Sequence, residues 1–207
     1  VTSVTKQFAA GLAAFLAANL LRAVVLIKNS LIVSGLLLAS SAQAITCGNS
    51  DSWLDKGCRR AEQVMQQGET DVYVTSYAYH LRSMYSEEKI KSFNERAWGG
   101  GIGKSLYDED GDWHGMYAMV FLDSHKDPEP TAGYGYQKLV PLAGELKAGL
   151  GFTAFLTSRS DTLKGVPVPV VLPLASLQYR KSAVMASFMP GPKGNGNVLF
   201  LFGRIAY

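Results

Sequence analysis

The chain has 207 residues, 47% of them hydrophobic and 11% aromatic, with 20 Lys+Arg against 17 Asp+Glu for a formal net charge of +3. This balance excludes a disordered tail protein, because there is enough apolar surface to bury a core. It also excludes a nucleic-acid partner, because no run of Lys or Arg concentrates charge.

The charge is unevenly placed. Residues 1–44 carry Lys6, Arg22 and Lys28 and no acid, so the rest of the chain holds 17 basic and 17 acidic side chains and is formally neutral. Residues 1–44 read as an export signal. Lys28 supplies the basic flank, Leu31–Ala39 the short apolar stretch and Ala42-Gln43-Ala44 a small-residue cleavage site, with the cut expected before Ile45. No Met precedes Met65, so Val24 or Val25 is expected as an alternative start. A membrane anchor over Phe8–Ile27 is the rival reading; it has the ~20 residues of a span but is interrupted by Asn19 and Arg22. After Ala44 no run approaches the ~18 apolar residues of a transmembrane helix. An exported chain of this kind is periplasmic, secreted, or an outer-membrane β-barrel.

Residues 45–70 form the next unit. Trp53 to Gln67 predicts an amphipathic helix, with Trp53, Leu54, Cys58, Ala61 and Val64 or Met65 at helical spacing, Asp51 or Ser52 as cap and Gly68 as stop. Such a helix can lie on a membrane surface or dock on its own domain. Residues 71–207 are strand-like throughout. Eight segments are expected, at about 71–85, 93–106, 113–123, 131–140, 146–157, 166–178, 182–189 and 197–207, separated by turn signals such as SEEKIKS, DEDGD, PLAGE and PGPKGNG. Their lengths suit the ~9–11 residues of a transmembrane strand better than the ~5–6 of an ordinary sheet. In 146–157 one face reads Leu146, Ala148, Leu150, Phe152, Ala154, Leu156, wholly apolar and fit to meet lipid, while the other is smaller and more polar. The last segment puts Leu199, Leu201, Gly203, Ile205 and Tyr207 on one face. In the first, Tyr73, Tyr77 and Tyr79 are expected to form an interfacial girdle, with Val72, Val74, Ser76 and Ala78 facing inward below His80. The fold class is therefore all-β: an eight-stranded antiparallel outer-membrane β-barrel behind an N-terminal amphipathic α-helix. A lipocalin-like soluble barrel would keep a polar exterior, which the face of 146–157 is not.

With both barrel ends on the periplasmic side, the loops at 86–92, 124–130, 158–165 and 190–196 face outward. His80, Asp123 and Ser124 then share one rim. A base, a carboxylate and a hydroxyl are the groups of acyl-transfer chemistry; polar rim residues without such a role are the plainer alternative. Pro173 and Pro190 cannot donate to a ladder and mark either a locally unpaired wall or mere strand ends. Trp98 stands where a phosphate-binding loop ending in Gly103-Lys104-Ser105 needs its first glycine; the glycines there let a strand bend or leave room inside a barrel. Asp108–Asp112 lacks the Gly and Glu of a calcium loop and reads as an acidic turn. His and Cys show no zinc spacing, and no metal or other cofactor is expected. Cys47 and Cys58 either pair or remain a free and a buried thiol.

Longer motifs carry a resemblance. Asn94-Glu95-Arg96-Ala97-Trp98-Gly99-Gly100-Gly101, Asp112-Trp113-His114-Gly115-Met116-Tyr117-Ala118-Met119, Asp123-Ser124, Glu129-Pro130-Thr131-Ala132-Gly133-Tyr134-Gly135, Leu172-Pro173-Leu174-Ala175-Ser176 and Gly194-Asn195-Gly196-Asn197-Val198 resemble the lipid A palmitoyltransferases of the PagP type. The resemblance runs from about Asp71 to Tyr207. It implies transfer of a palmitoyl chain from the sn-1 position of a phospholipid to the hydroxyl of the N-linked hydroxyacyl chain on the proximal glucosamine of lipid A. It implies His80 as general base, Asp123 as its orienting partner, Ser124 as nucleophile or hydrogen-bond donor, and Gly135 as the floor of the acyl pocket. Pro173 and Pro190 match the phospholipid gate, with Lys193 where an aromatic is common, and Lys89 matches a basic position for lipopolysaccharide. The implied partners are a phospholipid donor, a lipid A acceptor and the outer membrane, with monomer and homodimer both open. The family's prolines near Thr75 and at Ala97, which weaken strand pairing where lipid A enters, are absent here. A phospholipase or lipid A deacylase using the same rim, and a non-enzymatic barrel, are the alternative functions.

Overall fold

The structure, a computed structural model, describes residues 47–159 and 165–207. The export signal, its cleavage site before Ile45 and part of the loop expected at 158–165 lie outside the described residues.

The helix α1 (Trp53–Gln67) begins at Ser52, whose hydroxyl accepts the Leu54 N–H, and ends at Gly68, whose N–H reaches the Val64 carbonyl. It docks on the barrel. Val64 is fully buried, the Lys104 ammonium donates to the Met65 carbonyl at 2.9 Å, and Arg60 lies 3.7 Å from Glu109. Trp53 and Leu54 stay exposed on the other side. Both cysteines are disulfide-bonded. No described helix is long and apolar enough to cross a membrane.

Eight strands close into an antiparallel barrel in chain order: β1 (Glu69–His80), β2 (Gly99–Tyr107), β3 (Trp113–Leu122), β4 (Pro128–Ala143), β5 (Leu146–Thr157), β6 (Val168–Tyr179), β7 (Ser182–Met189) and β8 (Val198–Ala206). Closure by β1 against β8 completes the ring, so most ladder groups find partners within the protein. The expected strands all form, with shifted ends. The first stops at His80, and a non-strand segment follows it: a 3₁₀ turn at Arg82–Met84 and a short helix α2 (Glu87–Ser92) capped by Ser86. β2 starts at Gly99 rather than 93, and β4 runs from Pro128 through Ala143, so the turn to β5 falls on Gly144 at φ 55.

The alternation of β5 holds: Leu150, Phe152 and Leu156 are exposed, while Gly149, Thr153 and Thr157 face inward. In β1 the expected faces are wrong for the first half of the strand. Tyr73 is 1% exposed and Val74 50%. The β1–β8 register shifts between Thr75 and Tyr77. A bulge adds a residue and reverses the face, so Asp71, Tyr73 and Thr75 point inward with Ala78 and His80. Tyr73 is thus a core residue, not part of a girdle. The β2 glycines make room for it: a Cβ at Gly103 would lie 2.9 Å from Cε2 of Tyr73, and one at Gly101 would lie 2.4 Å from Cγ of Met119.

The interior is layered. Toward the rim that holds both barrel ends, Arg204 pairs with Asp71 at 3.3 Å, both fully buried. The pair is supported by Ser105 at 2.7 Å, Tyr107 at 3.1 Å and the Tyr73 hydroxyl on Asp71 at 3.1 Å. Such support is what a buried ion pair requires. Tyr73, Trp113, Leu174, Met185 and Phe202 form the apolar layer above it, and a cavity opens above that toward His80.

Candidate active site

His80 is the last residue of β1 and is held opposite Val198 of β8. Its ring is 2% exposed. It stacks on Phe93 with centroids 4.4 Å apart and meets the edge of Tyr85 at 5.5 Å. Nε2 lies 3.1 Å from the Ser124 hydroxyl. Ser124 sits in the turn after β3, and its carbonyl accepts the Asn94 N–H at 2.8 Å. The structure thus brings together His80 and Ser124, which the sequence places at one rim.

Asp123 does not meet His80. One carboxylate oxygen accepts the backbone N–H groups of His125 and Asp127 at 2.8 and 2.9 Å, closing the turn that presents Ser124; the other lies 3.3 Å from Arg159. An Asp whose oxygen satisfies nearby backbone donors builds a turn, and that bonding directs it away from the imidazole. Glu95 occupies the place expected of Asp123. Its Oε1 is 3.3 Å from Nδ1 of His80 and accepts the His80 backbone N–H at 3.1 Å. Arg82 grips both carboxylate oxygens at 2.6 Å, and the Tyr77 hydroxyl donates to Oε2 at 2.6 Å. The Arg82 guanidinium, aided by these hydrogen bonds, holds the Glu95 carboxyl down at about 2. Sequence spacing gave no hint of Glu95, Arg82 or Tyr77. Glu95 lies within the Asn94–Gly101 motif, but only the folded loop brings it to His80.

An apolar cavity lies beside Asp123 and Ser124. Ala78, Met119, Phe121, Leu172 and Phe200 line its walls, with the polar Glu129 and Arg159, 3.3 Å apart, among its lining. Tyr117 and Thr153 also line it, their hydroxyls 2.5 Å apart. Gly135 does not line the open cavity. It lies under the Trp113 indole, where an added Cβ would be 2.8 Å from Cζ3.

The other expected residues lie apart from this contact. Pro173 sits where the β6–β7 ladder ends at Leu174 and Ser187, so β6 from Val168 to Pro173 pairs only with β5. The Pro173 carbonyl takes the Ser187 hydroxyl at 3.0 Å, and Pro190 follows β7, exposed. Lys89 of α2 donates to the Gly194 carbonyl at 2.5 Å, linking α2 to the loop that carries Lys193, which is exposed. No group of metal ligands occurs among the described residues.

A half-buried His-Ser contact beside an apolar cavity suits reaction at the head of a long alkyl chain. The comparisons agree with that chemistry. The family described as "Antimicrobial peptide resistance and lipid A acylation protein PagP" matches residues 60–204. A lipid A acyltransferase PagP of Bordetella parapertussis is 55% identical over 168 residues, 81% of this chain and 92% of the relative. One of Legionella pneumophila is 47% identical over 177 residues (82% and 93%), and one of Methylobacillus flagellatus 43% over 175 residues (84% and 95%). The chain belongs to the PagP family.

Proposed function

We propose that this barrel is a lipid A acyltransferase of the outer membrane. It moves a palmitoyl chain from the sn-1 position of a phospholipid to the hydroxyl of the N-linked hydroxyacyl chain on the proximal glucosamine of lipid A. The observation that supports this most is the 3.1 Å His80–Ser124 contact above an apolar cavity. The donor chain fills the cavity, leaving its ester carbonyl at Ser124. His80 Nε2 takes the Ser124 proton as the hydroxyl oxygen attacks. The ester C–O bond breaks, and the lysophospholipid leaves with the proton from His80. The acceptor hydroxyl then gives its proton to His80 and attacks the acyl-serine, which restores Ser124. Phe93 and Tyr85 cover the imidazole and keep water from competing for the acyl group.

In this reading the catalytic rim faces the outer leaflet. The unpaired stretch of β6 beside Pro173, with Pro190 across from it and Lys193 beyond, admits the donor sideways from the bilayer. Lys89 and Lys193 supply cations for lipid A phosphates at that surface. Asp123 acts through the turn that presents Ser124.

The test is mass spectrometry of lipid A from cells expressing the protein. One palmitoyl increment is expected for the wild type. His80→Ala and Ser124→Ala are each expected to lose it while the barrel still shows heat-modifiable migration. An unchanged lipid A mass together with released fatty acid would assign the rim to a hydrolase instead.

A further inference from the structure

We infer that Glu95 is the positioning carboxylate of the catalytic histidine, fixing the tautomer in which His80 can act as a base; the inference rests on the acyltransferase reading above. An imidazole can take a proton from Ser124 at Nε2 only if its own proton is on Nδ1. The acceptor within reach of Nδ1 is Glu95 Oε1 at 3.3 Å. The carboxylate is not a mobile counter-ion. Two bonds from Arg82, one from Tyr77 and one from the His80 backbone N–H fix it. The backbone bond ties it to the residue it orients. Arg82 keeps it ionised and therefore an acceptor, so Nδ1 must donate. The assembly is held together by Phe93, which packs on the imidazole face two residues before Glu95.

This residue arrangement divides the work differently from a His-Asp pair. Asp123 builds the Ser124 turn, and Glu95 sets the imidazole. Glu95 does not touch the reacting atoms, so its removal should alter the chemical step and not substrate affinity.

The experiment compares purified wild type, Glu95→Gln, Glu95→Asp and Ser124→Ala in mixed micelles of phospholipid and lipid A, alongside ¹⁵N NMR of His80 in each. In Glu95→Gln the side-chain amide can donate to Nδ1, which reverses the tautomer. The expected fall in kcat is roughly 10²–10⁴-fold, the contribution of a correctly positioned general base. KM should stay within about twofold, the Nδ1-protonated signal should give way to the Nε2-protonated one, and Glu95→Asp should recover part of kcat. A Glu95→Gln protein with unchanged kcat, or one that keeps the Nδ1–H tautomer, overturns the inference. If Glu95→Gln does not fold, Tyr77→Phe serves in its place. It loosens the carboxylate without touching the imidazole, so it should lower kcat and shift the pH–rate profile; no change in either overturns the inference. The wild type separates the two readings. If it transfers no acyl group, the proposed function fails. If it transfers normally, Ser124→Ala is dead and Glu95→Gln is not, only the role of Glu95 fails.

Discussion

The Gly135→Ala substitution tests where a bound acyl chain ends. Tyr117 is six residues below Asp123 on β3, and Gly115, the ladder partner of Gly135, is eight below it. At about 3.4 Å per residue and a strand tilt of about 35–45°, six residues descend roughly 14–17 Å along the axis and eight roughly 19–22 Å. An extended alkyl chain advances about 1.25 Å per bond, from C–C bonds of about 1.5 Å at angles near 111°, so a palmitoyl chain spans about 19 Å. Its terminal methyl therefore passes the level of Tyr117 and Thr153 and reaches the Trp113 indole packed against Gly115 and Gly135. A Cβ at Gly135 would be 2.8 Å from that ring, where ordinary contact is 3.4–4 Å, so the indole must move by 0.6–1.2 Å. It cannot easily retreat toward the opposite rim. Arg204 lies 5.3 Å from the ring on that side, locked to Asp71. The ring moves up into the chain's space by up to about one bond advance. With donor phospholipids carrying saturated chains of twelve to eighteen carbons, mass spectrometry of the product should show the preferred chain shortened by one methylene in Gly135→Ala and by several in Gly135→Met. Unchanged palmitate selectivity in both variants would refute the placement of the methyl on Trp113.

Two further outcomes follow from the rim and the helix. The Glu95 carboxyl sits at about 2, below its ordinary 4.5. A carboxylate with a depressed pKa stabilises the fold above its unfolded value and loses that contribution as the pH falls through the folded one. The order of the rim should therefore be intact down to about pH 4.5 and weaken reversibly from there toward pH 2, as read by the backbone NMR signals of residues 80–96; a transition centred near neutral pH would contradict it. Val64→Asp places a charge at the fully buried contact of α1 and removes about 1.5–3 kcal/mol of apolar burial. The helix should undock, seen as rapid tryptic cleavage at Arg59 and Arg60, while far-UV circular dichroism keeps the strand signal. Slow cleavage equal to that of the wild type would mean that Val64 does not hold the helix.

The parts of the fold set by a repeating pattern are legible in the sequence. β5 and β8 carry their inside-outside alternation without interruption, and both faces are read correctly. β1 is different. Counting back by twos from His80 lands on Val74 and Val72, and nothing local announces the extra residue near Ser76 that puts Tyr73 and Asp71 inside instead. Ser86-Glu87-Glu88 carries a helix-capping signal within what reads as a turn, and α2 forms there. The site divides the same way. His80 and Ser124 are brought together by strand length and barrel topology, quantities that a sequence reports. The partner of Nδ1 is chosen by side-chain geometry in an irregular loop. Asp123 and Glu95 are equally suitable in composition, and their hydrogen-bond partners decide between them: the backbone N–H groups of His125 and Asp127 engage Asp123, and Arg82 and Tyr77 hold Glu95.

The irregular loop also bears on the two prolines that this chain lacks. At Thr75 and Ala97 ordinary residues could extend the β1–β2 ladder, which would seal the wall. The ladder nevertheless stops at Thr75 and Gly99. Past that point the Thr75 hydroxyl donates to the Ala97 carbonyl at 2.6 Å, and the bulge passes the Ala78 N–H to the Glu95 carbonyl at 2.9 Å. A side chain and a bulge thus end the pairing, as missing N–H donors would. Both Thr75 and Ala97 are buried, so the junction is packed as well as hydrogen-bonded. Its consequence reaches the chemistry. A continuous ladder would hold residues 94–97 as regular strand in the barrel wall. Released from it, the segment ties Asn94 to Ser124 and turns Glu95 onto His80. The interruption that leaves the wall unpaired also sets the carboxylate behind the imidazole. Replacing Thr75 with valine keeps the shape and removes only the hydroxyl. It should therefore disturb lipid A access and His80 orientation together, seen as a raised KM for lipid A and a weakened Nδ1–H signal in the same variant. If KM rises while the His80 signal is unchanged, the two functions of this segment are separable.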